Sequence, residues 1–315
     1  MRHLLLNLGH FQTHFFLLLY PTVVLTLQRE GGGSYGDLLL PSTAGFVAFA
    51  ALTLPAAWAG DRWPKSRLIL LLFLGLAAGA ALAALATDTL MLAAGLALIG
   101  AAAAIYHPVG LAQLAEETTA TGRAIGVNGV WGNLGVAAAP LAAALLAESW
   151  GWRAAFAVPA ALALVTALLQ LREVRSGRTG ERPAEAAVGA VPKGALARVL
   201  VFLFASGLCG GLLFNAMTVA LPKMMDDALP GMGHGALSAG AVASAIFAAA
   251  AFSQLLSGRL LDRVAARPLA GLLTSGQAVS LVLMALAGGW LQVLAALALV
   301  TLIFAEIPVG DTLIK

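Results

Sequence analysis

Ten stretches of about twenty apolar residues, separated by short polar turns, account for most of this 315-residue sequence. A helix rises about 1.5 Å per residue, so twenty residues cross a hydrocarbon layer about 30 Å thick. The stretches run approximately over 4–27, 38–59, 68–86, 90–111, 124–147, 152–171, 199–221, 237–256, 269–287 and 290–314. No alternating pattern of a membrane barrel is visible. A helix satisfies its own backbone hydrogen bonds, so an all-α polytopic membrane protein is expected. Composition agrees, with 60% hydrophobic and 10% charged residues and a mean hydropathy of +0.91. A soluble domain carries about 25% charged residues to cover its surface. The first stretch lacks a small-residue cleavage site and precedes many like it, so it reads as a membrane helix rather than a signal peptide.

The basic residues set the orientation. With the N-terminus in the cytoplasm, the inner segments hold Arg2, Arg62, Lys65, Arg67, Arg123, Arg172, Arg175, Arg178, Arg182, Lys193, Arg198, Arg259, Arg263, Arg267 and Lys315. The outer segments hold only Arg29, Arg153 and Lys223. Cytoplasmic loops of membrane proteins carry this excess. The formal net charge of +3 is thereby explained without nucleic acid. The expected location is a cell inner membrane, with many passes and a cytoplasmic N-terminus.

The sequence repeats. Tyr20-Pro21 matches Leu221-Pro222, and Asp61-Arg62 matches Asp262-Arg263, both at an offset of 201. His107-Pro108-Val109-Gly110 matches Ile307-Pro308-Val309-Gly310 at an offset of 200. Tyr20-Pro21 and Leu221-Pro222 read as the ends of the first and seventh spans. The one long polar stretch, 172–198, reads as a cytoplasmic linker. The expected domains are a six-helix bundle over 1–171, that linker, and a partial second bundle over 199–315. The repeat implies two further spans beyond Lys315, which makes ten helices of twelve, and a fragment of a longer protein is the favoured reading.

Six helices, a basic linker and a related second set resemble the major facilitator superfamily. That family carries Gly-x-Leu-Ala-Asp-Arg-x-Gly-Arg-Arg between helices 2 and 3, and again between helices 8 and 9. Asp61 and Arg62 match the first copy, and Gly258, Asp262 and Arg263 match the second. The resemblance implies gating loops, in which each carboxylate caps a facing helix N-terminus; for Asp262 that terminus lies near Gly122 and Arg123. The alternative is an ordinary charged loop. On the fifth span Gly126, Gly135 and Pro140 stand at the spacing of an exporter motif, and alanines replace its other glycines. Small residues let helices approach closely, here as a packing motif. Tyr106-His107-Pro108, Gly122-Arg123-Ala124 and Gly132-Asn133-Leu134-Gly135 look like the fosmidomycin-resistance branch of the drug–proton antiporters. The arginine common on helix 4 of proton-coupled members is absent.

Titratable groups at membrane depth are costly and mark functional pathways. Here they are His10, His14, His107 and Glu306, with Asn7, Tyr106 and Asn215 as polar company. Asn7, His10 and His14 share one face of the first span. In the family resembled, the helices carrying this set line the central cavity, so the set is the expected substrate and proton pathway. Histidine changes charge near neutral pH, and such groups can trade a proton for a substrate. The alternative is helix–helix hydrogen bonding. Glu116, Glu117, Asp311, and His234 with Asp226 and Asp227, read as solvated.

Other chemistry is not visible. The single cysteine, Cys209, reads as a small buried hydrophobe, and no Cys or His spacing indicates a metal. Gly31-Gly32-Gly33 reads as an external loop, and there is no ATP-binding motif. No catalytic constellation, cofactor or metal is expected, and the chain does not read as an enzyme. The leading expectation is a secondary transporter, a monomer, exporting a small organic molecule against proton entry. The alternatives are uptake of an organic solute, or a membrane scaffold or receptor on the same fold.

Overall fold

The computed structural model describes residues 2–118, 121–177, 193–229 and 235–314. In order they form α1 (Arg2–Gly31), α2 (Tyr35–Leu39), α3 (Ser42–Gly60), α4 (Lys65–Ala84) and α5 (Thr89–Ala103). A π-helical turn, Tyr106–Gly110, leads into α6 (Leu111–Glu117). Then come α7 (Thr121–Trp150), α8 (Ala154–Arg175), α9 (Lys193–Ala228), α10 (Ala236–Ala251), α11 (Ser253–Leu261), α12 (Ala266–Leu286) and α13 (Gly289–Ile314). Among the described residues there is no β-strand. Nine of the described helical segments are long and apolar enough to cross a membrane. The expected first span, α1, is not one of them, because Asn7, His10, Gln12, Thr13 and His14 dilute its apolar sequence.

The chain divides into two compact units, Met1–Pro183 with Gly233–Ser244, and Ala184–Met232 with Ala245–Lys315. In the first unit α1 lies along α7, and α4 packs against both α5 and α8. The α1–α7 contact depends on a missing side chain: a Cβ at Gly135 would stand 2.2 Å from the Phe11 carbonyl oxygen. Backbones that close need glycine at the crossing. Of the buried polar groups of α1, Gln12 is paired across the bundle with Thr166 of α8 (3.2 Å).

The two ends of this unit differ in charge. At one end Arg2 pairs with Glu173 (3.5 Å), Lys65 with Glu116 (3.1 Å) and His3 with Glu117 (4.0 Å). Glu117 also accepts from Gln113 (2.8 Å). The glutamates expected to be solvated are thus paired, because the end of α6 is brought against the starts of α1 and α4. At the other end Arg29 faces Glu148 (4.0 Å). Arg153 donates to the Ala86 carbonyl (2.8 Å) and lies over the Trp152 ring. The start of α10 docks here, with the Leu237 N–H donating to Glu148 (2.8 Å).

In the second unit Phe304 of α13 stacks between Phe214 of α9 and Phe247 of α10. Leu269 and Leu273 of α12 pack with Ala305 and Val309 of α13. The repeat is visible here in backbone detail. Asp61 ends α3 and Asp262 ends α11, with φ, ψ of −76°, −17° and −68°, −15°. The following N–H groups bond alike: Arg62 and Trp63 to the Ala59 carbonyl, Arg263 and Val264 to that of Leu260. A non-helical residue, Pro64 with φ, ψ of −52°, 117° or Ala265 with −60°, 142°, then caps the start of α4 or α12.

Several expectations are corrected. Pro21 and Pro222 lie inside α1 and α9 rather than at helix ends. Cys209 is exposed, on a face of α9 shared with Leu208 and Leu212; apolar groups lose nothing by facing hydrocarbon, so an apolar run does not imply burial. The eighth span is two helices, broken at Phe252. Asp226 and Asp227 belong to α9 and both pair with Lys223. α8 continues through Arg172 and Arg175, and α9 begins at Lys193, so both ends of the expected linker are helical. Residues 178–192, His234, and the side chains of Gly122, Arg123 and Asp311 lie outside the described residues.

Candidate functional site

Proline 108 has no N–H to give, and its ring disfavours a regular α turn before it. The chain answers with the π turn Tyr106–Gly110, a wide turn of the kind often found at functional positions. It carries Tyr106 and His107 to α1. There His10 stacks on Tyr106 (centroids 4.8 Å apart) and meets His107 edge-on (5.1 Å). His14, one turn along α1, lies 5.3 Å from His107, and its Nε2 is 3.3 Å from Nε2 of His10. One ring nitrogen from each of the three histidines falls within 4.8 Å of the others. His10 is buried, and His14 and His107 are half-buried.

Asn128 of α7 holds this cluster in place, and it is fully buried. Its side-chain oxygen faces His10 Nδ1 (2.9 Å) and accepts from the Tyr106 hydroxyl (3.0 Å). Its amide nitrogen donates to Asn7 Oδ1 (2.9 Å). Its main-chain carbonyl lies 2.8 Å from the same His10 Nδ1. A carbonyl can only accept, so His10 donates from Nδ1. One turn on, a Cβ at Gly132 would stand 2.5 Å from His10 Nε2, so glycine leaves room for the ring. Sequence reasoning passed over Asn128. The available signal was an amide within an apolar span, the same criterion that selected Asn7 and Asn215.

The second unit has its own polar point. The Glu306 carboxylate accepts from Gln277 Nε2 (2.5 Å) and the Thr274 hydroxyl (3.2 Å), both on α12. Gln277 is buried and also reaches the Leu302 carbonyl (3.3 Å). Neither partner was singled out in the sequence. Asn215 does not join them; it is exposed and bonds back to the Gly211 carbonyl of its own helix (2.8 Å).

At the two Asp-Arg corners Asp61, Arg62, Asp262 and Arg263 are exposed and Gly258 is half-buried. Asp61 and Asp262 are the C-terminal caps of α3 and α11, Arg62 lies over the Trp58 ring, and a Cβ at Gly258 would meet nothing within 4 Å. In the fifth-span motif Gly135 makes the close crossing, whereas a Cβ at Gly126 would meet nothing within 4 Å. Pro140 lies inside α7, and its carbonyl faces Gly240 of α10.

Apolar helices in two related sets, with polar groups buried among them, define a multi-pass membrane protein of the transporter class. The family model of the Major Facilitator Superfamily matches residues 6–312, and the chain belongs to that superfamily. No curated protein matches it in sequence. Among solved structures, a bacterial homologue of the human lysosomal transporter Spinster, inward-facing and occupied, is similar with a TM-score of 0.74. The identity is 16%, over 96% of this chain and 72% of that one. A peptide transporter in complex with sulfate aligns at a TM-score of 0.72, with 17% identity over 99% and 81% of the two chains. A D-xylose–proton symporter aligns at 0.67, with 14% identity over 99% and 81%. These likenesses establish the fold.

Proposed function

We propose that this transporter is proton-coupled and exports a small organic molecule, with Glu306 as the coupling group. The observation that carries the reading is the Glu306 carboxylate itself, on a membrane helix and held by Gln277 and Thr274. A carboxyl group exchanges one proton and one unit of charge. Any difference in its proton affinity between two states of the transporter shifts their populations. The export direction is supported by the Gly135 crossing and by the resemblance to the fosmidomycin-resistance branch, which also makes fosmidomycin the first solute to try. The 15 to 3 distribution of basic residues supports a cytoplasmic N-terminus in an inner membrane. Asp61 and Asp262 are proposed as gating carboxylates, from their matching corners.

The test is a transport assay in proteoliposomes. With a pH dye inside, fosmidomycin or another solute of a small-drug panel should evoke proton movement through the wild type. Glu306→Gln keeps the shape of the protonated acid and should remove solute-evoked proton movement, while solute counterflow at equal pH persists. Proton movement at the wild-type rate in the variant would refute the assignment, and a wild type silent across the panel would refute proton-coupled drug export.

A further inference from the structure

The three histidines belong to the first unit, and the proton exchange proposed at Glu306 makes no use of them. We propose that His10, His14 and His107 form a binding site for a divalent transition-metal ion of the zinc type.

The first argument is spacing. His10 and His14 stand at i and i+4, which puts both rings on one face of α1, as in helical zinc motifs. Two nitrogens each bound at about 2.0–2.1 Å to a tetrahedral ion stand about 3.3–3.4 Å apart. The two Nε2 atoms here are 3.3 Å apart. The third imidazole approaches from the π turn, with its nitrogen within 4.8 Å of the other two.

The second argument is orientation. A metal-bound histidine normally donates its other ring N–H to a carbonyl or carboxylate, which fixes the tautomer. His10 does this in advance, since its Nδ1 is committed to the Asn128 carbonyl 2.8 Å away. The lone pair is therefore on Nε2, facing His14. Two imidazole nitrogens at that distance need either a proton or a cation between them. Asn128 is fixed in turn by Tyr106 and Asn7, so the first ligand is held before any ion arrives.

The donor set selects the ion. Among the described residues the cluster contains imidazoles and no carboxylate. Neutral nitrogen donors suit zinc, cobalt, nickel or copper, and magnesium or calcium require oxygen. Three protein ligands leave a fourth position for water or an anion. The half-buried state of His14 and His107 gives that position access.

The experiment uses the full chain, purified in detergent through an affinity tag free of histidine, and Co2+ as a visible stand-in for zinc. Wild type should take up one equivalent of Co2+, show the visible bands of tetrahedral cobalt, and lose them when Zn2+ is added. His14→Gln and His107→Gln should each weaken Co2+ binding by about a hundredfold, the upper range for loss of a supporting group and a minimum for loss of a ligand. The double variant His3→Gln/His234→Gln removes the other two histidines of the sequence and should bind like wild type. Wild type without stoichiometric tetrahedral bands overturns the proposal, and so does their loss in the double variant. If His14→Gln or His107→Gln remains monodisperse yet keeps wild-type affinity, the site is elsewhere. Wild type and the double variant decide the matter even if the single variants do not fold.

Discussion

At the residue scale, Asn128 concentrates the dependence of the first unit on one side chain. His10, Tyr106 and Asn7 all use it. An orphaned buried polar group costs about 1–3 kcal/mol. Asn128→Leu strands the Tyr106 hydroxyl and the Asn7 amide while leaving the main-chain carbonyl to His10. We expect a loss of about 2–4 kcal/mol, measured by denaturant unfolding in detergent. An effect under about 0.5 kcal/mol, typical of surface positions, would mean that the network is not a unit. The sequence exposes part of this site and hides the rest. His10, His14, Tyr106 and His107 are legible, because titratable and aromatic polar groups stand out in an apolar span. Their convergence is not, because His107 reaches α1 through a turn whose width no periodicity reveals. Gln277 and Thr274 stay hidden because a lone polar residue in a span is as compatible with packing as with a site.

At the scale of elements, the α1–α7 crossing depends on how closely two backbones approach at Gly135. Gly135→Ala places a methyl against the Phe11 carbonyl, a backbone atom that cannot rotate away. Overpacking of this kind costs about 1–3 kcal/mol. Gly126→Ala, where a Cβ meets nothing, serves as its control and should change stability little. Equal effects of the two substitutions would contradict the close-approach account. The motif spacing drew attention to both glycines, and only the structure separates them, since the neighbour that matters is eleven residues from the N-terminus, on another helix. The spans themselves were legible from length and apolarity. Their ends were less so: a Pro in an apolar run suggests a stop, yet α1 and α9 continue past Pro21 and Pro222. Hydrocarbon rewards a helix for keeping its other hydrogen bonds, so one proline does not end it.

For the whole molecule, orientation is the testable property. In a Cys209→Ala background, Ser34→Cys lies just before α2 and Ser176→Cys just after α8, at opposite ends of the first unit. A membrane-impermeant maleimide should label the first in intact cells, and the second only after permeabilisation. The reverse pattern would invert the topology. The repeat was the most legible large feature, because its Asp-Arg corner needs the same backbone in both copies. The change of offset from 201 to 200 also has a place: four residues link α4 to α5, at 85–88, and two link α12 to α13, at 287–288. The second turn is two residues shorter and α12 is one residue longer than α4, 21 against 20, which leaves the net change of one. Past the Pro-x-Gly the copies part in a different way. Pro308 sits in an uninterrupted α-helix, whereas Pro108 sits in the π turn. A π turn holds one residue more than an α turn, and one residue is about 100° of rotation. In helical phase, the residues after Gly110 are turned by that angle from where an uninterrupted α-helix would carry them. Glu116 and Glu117 reach Lys65 and His3 from the face that this turn presents.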